Sequence, residues 1–374
     1  MKAESKLQLG DVFVGIADPR QKKVDHDLLE LLVVAVCSVL VGADTFVEIE
    51  HWAEDNLDWF RRHLKLENGM PSHDTFGRVF AAMDATAFSA AFQRWVKQIV
   101  PSLTKGEVVA IDGKTSRRSG AVGKTPLHLV SAFAAGAQLV LGQHATAEKS
   151  NEKTAIPELL ATLALEGCIV TIDAMGTQPN IAQAILDRSA DYILSVKDNQ
   201  PTLADSMRDF FDAFQAAPKK TPHQFDEAVE KNHGRLEVRR CYIFDQLDCL
   251  HAPERWPDLK SFAVIASERT LKGKTTLEHR YYITSLLPDA AQLNHAVRQH
   301  WSVETSLHWC MDVIFADDQM RARTDHAVHN LSVVRHFALN LIRYAPVKRK
   351  GGLKVQRLRA ASSVTYREEL LGLL

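Results

Sequence analysis

Apolar residues at helical spacing dominate the first hundred positions. Leu28, Leu31, Leu32, Ala35, Val36 and Val39 recur every three or four residues with no alternating run to compete, which predicts a helical region over about 25–100. Within it, Pro71-Ser72-His73-Asp74-Thr75-Phe76 has the chemistry of a helix start. Ser72 or Asp74 can cap, and Phe76, Val79, Phe80 and Met83 then share one face. Such a helix is either a packing element or the second helix of a helix-turn-helix entering a DNA groove, and packing is the plainer reading.

After Pro101 the pattern changes to unbroken apolar runs at 108–111, 127–135, 139–141, 168–172 and 192–196, as expected of strands buried on both faces. Helical spacing at 154–166 and 180–189 lies between them, so the order is three strands, helix, strand, helix, strand, an α/β arrangement. From about 218 to 288 the chain is β-prone, at 236–244, 261–266 and 281–285, with polar turns between, and reads as an insertion. Helix returns at 289–315 and 325–344, where Pro346 and Lys348-Arg349-Lys350-Gly351-Gly352 stop it. The predicted division is therefore 1–104 helical, 105–345 α/β with a β-rich insertion, and 346–374 a C-terminal tail.

Charge changes this picture locally. With 45 Lys and Arg against 46 Asp and Glu, bulk charge does not suit a protein that coats nucleic acid. Yet no acid occurs from His326 to Arg367, while Arg335, Arg343, Lys348, Arg349, Lys350, Lys354, Arg357, Arg359 and Arg367 all do. That basic stretch is either a solvated helical face or a phosphate-contacting surface. The five cysteines include no CxxC pair, which argues against a disulfide framework or a thiolate zinc site and for a reducing, cytoplasmic setting. The longest apolar stretch, 28–41, contains Glu30 and falls short of the ~20 residues that span a bilayer, so no membrane partner is expected. No apolar segment with a cleavage site suggests a secretory signal.

Three carboxylates stand where burial is expected. Asp112 ends the apolar run Val108-Val109-Ala110-Ile111 and precedes Gly113-Lys114, and Asp173 ends Ile169-Val170-Thr171-Ile172 in the same way. An ionised carboxylate there costs several kcal/mol, of the order of ~3 or more, unless paired, hydrogen-bonded or metal-bound. Either aspartate alone is also a plausible turn former or cap, but two such strand ends weaken that reading. Counting Leu293, Val297, Trp301, Glu304, His308, Met311 and Phe315 as one helical stripe aims Glu304 inward, toward catalysis or toward an ion pair with Arg298 or Arg321. Together the three acids form an oxygen ligand set suited to Mg²⁺, and two such ions serve phosphodiester chemistry. There is no HExxH, and the Cys241, Cys249, His251 spacing is irregular, so zinc does not compete.

At this point the chain resembles a known family. Asp44-Thr45-Phe46-Val47-Glu48-Ile49-Glu50, Pro71-Ser72-His73-Asp74-Thr75-Phe76-Gly77-Arg78-Val79-Phe80, Ile111-Asp112-Gly113-Lys114, Asp173-Ala174-Met175-Gly176-Thr177-Gln178, Lys197-Asp198-Asn199-Gln200 and His300-Trp301-Ser302-Val303-Glu304 look like the H-repeat-associated, ISAs-type insertion-sequence DDE transposases. The likeness runs along nearly the whole chain. It implies a ribonuclease H-like catalytic core, an N-terminal helical transposase-associated domain and a β-rich insertion between the second aspartate and the glutamate. It implies that Asp112, Asp173 and Glu304 are a triad holding two Mg²⁺ or Mn²⁺ ions, for hydrolysis at the element's ends and transfer of the 3′-hydroxyl into target DNA. The implied partners are terminal inverted repeats, target DNA and further copies of the chain in a nucleoid-bound DNA complex. Lys114, Lys197, His300, His308 and Arg349 are the candidate DNA contacts. Related transposases carry a tyrosine, arginine, glutamate, lysine signature around the last acid; here Val297, His300 and Met311 stand at the other three positions. A DNA-binding protein without chemistry, and a ribonuclease H-like endonuclease without strand transfer, stay open as alternatives.

Overall fold

A computed structural model describes residues 9–21, 24–120, 125–146, 152–232, 235–346 and 349–373. Helices come first: α1 (Leu9–Val12), α2 (Leu28–Val41), α3 (Phe46–Asp55), α4 (Leu57–Phe60), α5 (His73–Ala82) and α6 (Ala85–Ile99). Their starts are fixed by side-chain caps. Asp27 accepts from the Leu29 and Glu30 N–H groups at α2, and Thr45 and Glu48 form a reciprocal capping box on α3. Ser72, rather than Asp74, caps α5, and Asp84 caps α6. Phe76, Val79 and Phe80 point into the core, so α5 packs by the face its sequence foretells.

The α/β part follows as β1 (Val108–Thr115), β2 (His128–Ala134), β3 (Leu139–Thr146), α7 (Glu152–Thr162), β4 (Ile169–Ile172), α8 (Pro179–Leu186), β5 (Asp191–Val196) and α9 (Pro201–Ala216). Then come β6 (Gln224–Asn232), β7 (Arg235–Phe244), β8 (Ser261–Leu271), β9 (Lys274–Thr284), α10 (Ala290–His300), α11 (Trp309–Val313), α12 (Ala327–Arg343), α13 (Leu353–Ser362) and α14 (Val364–Leu371). The fold is mixed α/β around one large sheet of strand order β3-β2-β1-β4-β5-β9-β8-β7-β6. β1, β4 and β5 run parallel at its centre, and β9 pairs antiparallel with β5, so the β-prone segment extends the same sheet. Alternation divides the sheet's two faces. Val108, Ile169, Ile193, Cys241, Ile265 and Tyr282 turn toward Leu293, Ala296 and Val297 of α10, while Val170, Ile172, Leu194, Phe262 and Ile283 join the larger core on the other side.

That larger core crosses the boundary expected near residue 104. α12 is buried from Ala327 to Ile342. Asn330 Nδ2 donates to the Phe80 and Met83 carbonyls at 2.8 and 2.9 Å, and Asn340 donates to and accepts from Val140 of β3 at 2.8 and 3.0 Å. One helix thus ties the N-terminal helices to the sheet.

Two expectations change. The basic stretch is solvated only in part: Lys350 and Lys354 are exposed, but Arg335 is fully buried against Asp317, with Nη1 to Oδ1 2.6 Å, and Arg357 reaches Asp44 Oδ1 and the Val39 carbonyl, both at 2.7 Å. The Arg367 guanidinium lies over Trp59 and Trp52, 4.5 and 5.0 Å from the ring centroids. Burial of these cations requires acceptors, which Asp317 supplies for Arg335 and the N-terminal region, through Asp44 and Val39, for Arg357. Lys348 of the same run lies outside the described residues. The helix expected over 289–315 is also broken. α10 ends at His300, and a π-helical turn spans Glu304–His308 before α11. Among the described residues no single helix is long and apolar enough to cross a membrane.

Candidate active site

β1 and β4 lie parallel with Ile111 opposite Ile172, so the next residues, Asp112 and Asp173, emerge side by side from the middle of the sheet. β4 stops there because Asp173 Oδ1 accepts from the Met175 N–H at 3.1 Å and caps the short turn Ala174–Gly176. Glu304 is brought to the same place by the break after α10. A cavity of about 140 Å³ is lined by Asp112, Asp173 and Glu304 together, with Lys197, Arg280 and His300 around them. Glu304 is exposed, which corrects the inward aim expected of it: the π turn displaces it from the apolar stripe, and Leu307 and His308 are the buried residues of that turn.

The electrostatics of the two aspartates differ. Burial alone would raise the Asp112 carboxyl, but the hydrogen bond and charge of His308, with help from His300 and the Gly113 N–H, hold it below the usual carboxylate range. His308 Nε2 stands 3.0 Å from Asp112 Oδ2. Asp173 has no such partner; burial, then the neighbouring charges of Asp112 and Glu152, raise it above the usual range despite two backbone N–H groups. His300 shares a 2.9 Å hydrogen bond with Thr171 Oγ1, and desolvation lowers its pKa in spite of the nearby Asp112 charge.

The other sequence candidates separate. Lys197 is exposed just past the end of β5 and lines the cavity. Lys114 does not stand free for a phosphate: its Nζ is bonded to Asp312 and lies 3.1 Å from the buried Asp317, because β1 points it at α11 and the turn that follows it. Arg349 is bound by Glu369 at 2.6 Å, among the C-terminal helices and away from the cavity lining. The sequence did not reveal the pair behind Asp112. His128 Nε2 and Glu152 Oε1 are 2.5 Å apart and both buried, and Thr115 Oγ1 holds the other ring nitrogen at 2.8 Å. The one available signal was Gly113, a glycine inside a strand where another group approaches closely.

A divalent ion suits part of this arrangement. The donors are all carboxylate oxygens, as hard cations prefer, and the repulsion that raises Asp173 beside Asp112 is the kind a cation between them relieves. Among the described residues no three His, Cys, Asp or Glu side chains already converge closely enough to enclose an ion.

Comparison with known proteins adds to the geometry. Residues 76–341 match the family described as transposase DDE domain, and residues 10–96 match one described as "DDE_Tnp_1-associated". The chain is 39% identical over 368 residues to "Putative transposase YncI" of Escherichia coli O157:H7, covering 95% of this chain and 92% of that protein. It is 37% identical over 370 residues to "H repeat-associated putative transposase YhhI" of Escherichia coli strain K12, covering 95% of each. Among solved structures, a piggyBac transposase synaptic complex with hairpin DNA aligns at TM-score 0.42 and 12% identity, over 97% of this chain and 77% of that one, a likeness too slight to argue from.

Proposed function

The chain belongs to the DDE transposase family, alongside the H repeat-associated transposases, and on that premise we propose that it cleaves DNA at the ends of an insertion element and transfers the resulting 3′-hydroxyl into target DNA. Asp112, Asp173 and Glu304 are the catalytic residues and metal ligands of this reading, and the five strands β3-β2-β1-β4-β5 are its ribonuclease H-like core. What supports it most is that three acids far apart in sequence line a single cavity. Two Mg²⁺ or Mn²⁺ ions, when bound by these carboxylates, supply an activated water or 3′-hydroxyl and stabilise the leaving oxygen.

The chain's own residues prepare that chemistry. Asp112 and Asp173 are offered from adjacent central strands, which fixes their spacing. His308 keeps Asp112 ionised. Glu304, exposed on the π turn, adds the third carboxylate to the cavity lining. Lys197 and His300 border the cavity and take the phosphates of the bound strand. Lys114 acts indirectly, by holding Asp312 and Asp317 behind the site. The partners are the inverted repeats, target DNA and a second copy of the chain that brings two ends together.

The test is a cleavage assay on labelled DNA carrying the repeats that flank the gene, with Mg²⁺ or Mn²⁺. Asp112→Asn, Asp173→Asn and Glu304→Gln should each lose roughly 10²–10³-fold or more in cleavage rate, while binding in Ca²⁺ persists. Products joined to a second DNA mark strand transfer. Wild-type protein that binds the repeats in Mg²⁺ without cutting them would sink the proposal in favour of a DNA-binding role.

A further inference from the structure

A second cavity, of about 80 Å³, adjoins the first and shares Arg280, Val297 and Trp301 with it. Its floor follows from strand alternation. Arg235, Glu237 and Arg239 lie on the same face of β7 as Cys241 and Ile243, and the register sets Glu237 opposite Arg269 and Arg239 opposite Ser267 on β8. Under the body of α10 this face is apolar, and it meets Leu293, Ala296 and Val297. Where α10 ends, the face turns cationic, with Arg235, Arg239, Arg269, Arg280 and Arg298 gathered around one opening.

These cations outnumber the acids that serve them, which are Glu230, Glu237 and Glu278. Glu230 takes Arg239 and Arg298 at 2.7 and 3.0 Å, whereas Glu237 stands 3.4 Å from both Arg235 and Arg269, longer than a good charge-assisted bond. Arg239 is 6% exposed, yet among the described residues its Nε has no hydrogen-bond partner and its Nη1 is 3.6 Å from Glu237 Oε1, outside hydrogen-bond range. A buried guanidinium with two donor directions unfilled is costly unless an acceptor arrives. The acceptor that suits several guanidinium forks is a phosphate.

We propose that this arginine-lined cavity on the extended sheet binds a backbone phosphate of the DNA strand held at the neighbouring carboxylate site. The inference rests on the reading of that site as one that cleaves DNA. The continuity through Arg280 and Trp301 places the phosphate on the same strand as the reacting one and not on a separate ligand. Arg280 itself is held in place by its guanidinium stacking 4.5 Å over the Trp301 ring and by Glu278 at 2.9 Å.

The experiment measures binding of a fluorescein-labelled duplex carrying the flanking repeats, by anisotropy in Ca²⁺ over a series of salt concentrations. The double variant Arg235→Gln, Arg269→Gln changes two half-exposed side chains. It should bind about tenfold more weakly, and its slope of log affinity against log salt should fall by about one to two. Ser267→Glu is the second variant. It keeps every arginine and offers a carboxylate opposite Arg239, although Glu278 faces the same position from β9, so it should weaken DNA binding comparably. Both effects together support the phosphate site. Wild type that binds and cleaves the duplex, with both variants matching it in affinity and salt slope, overturns the site and leaves the cleavage reading intact. Wild type that neither binds nor cleaves the duplex removes both.

Discussion

At Gly113 an added Cβ would overlap Glu152 Oε1 and stand 2.5 Å from His128 Nε2, two atoms that form one short buried hydrogen bond. Neither group can move away cheaply, since His128 is also tied to Thr115 and both are buried. Gly113→Ala should therefore cost about 1–3 kcal/mol and displace Asp112, with a loss of cleavage larger than the loss of stability explains. Thermal melts beside cleavage rates at a fixed margin below the melting point check this; an unchanged melting temperature would sink it. The same neighbourhood shows what a single sequence can disclose about a site. Asp112 and Asp173 stood out because an acid at the end of an apolar run contradicts its surroundings. His128 and Glu152 contradict nothing locally, because each is satisfied by the other across a fold the sequence does not display. Lys114 was legible as lying on the same side as Asp112, but its partners Asp312 and Asp317 belong to a distant segment.

The π turn at Glu304–His308 is the element on which the third acid depends, and it is held from outside. Arg343 of α12 donates from Nη2 to the Ser306 carbonyl and from Nη1 to the Gln138 carbonyl at 2.8 Å. Its guanidinium also lies 5.5 Å from the Phe133 ring centroid. Arg343→Met removes donors from two carbonyls that this side chain serves, at a cost of roughly 2 kcal/mol or more. The turn should then relax, and Glu304 should lose its position. The expected signature is a slower chemical step at saturating DNA with affinity in Ca²⁺ unchanged; a variant that loses affinity and keeps its rate would mean that Arg343 contacts DNA instead. No local pattern announces this turn, because a helical count through 289–315 is apolar enough to pass for one straight helix. Elsewhere the elements divide by how their burial is achieved. β1, β4 and β5 are buried on both faces and were legible as apolar runs. β6 carries Asp226, Glu227, Glu230 and Lys231 at the sheet's edge, where charge deters further pairing, and has no such run. α9 lies outside the predicted elements although Leu203, Met207, Phe211 and Phe214 have helical spacing, because β-prone runs dominate the sequence after it.

Across the molecule, α12 is the shared interior of the N-terminal helices and the sheet, and it carries two histidines that folding keeps neutral. Burial lowers His336 to about 3 and His329 to about 4, against the nearby Asp317 charge in the first case and with the help of other histidines in the second. In the unfolded chain both titrate near the ordinary value of about 6.5. Between that value and the folded one, the unfolded state binds the extra proton, so stability is full above about pH 6.5 and falls as pH drops. Each histidine removes roughly 1 kcal/mol per pH unit, and the pair together removes several of the ~5–15 kcal/mol that hold a typical domain before pH 4 is reached. The depressed carboxyls Asp112 and Asp317 also lose stability in acid, but only below the ordinary aspartate range, so they do not share this window. Because α12 belongs to both halves of the molecule, acid should unfold helices and sheet in one transition. Urea midpoints from pH 7 to pH 4.5 should fall steadily in wild type and less steeply in His336→Leu, a swap of similar size at a ring whose Nδ1 has no partner among the described residues; the lowered His300 keeps part of the slope. A wild-type midpoint that stays flat to pH 4.5 would mean that these histidines are not held neutral by their burial in α12.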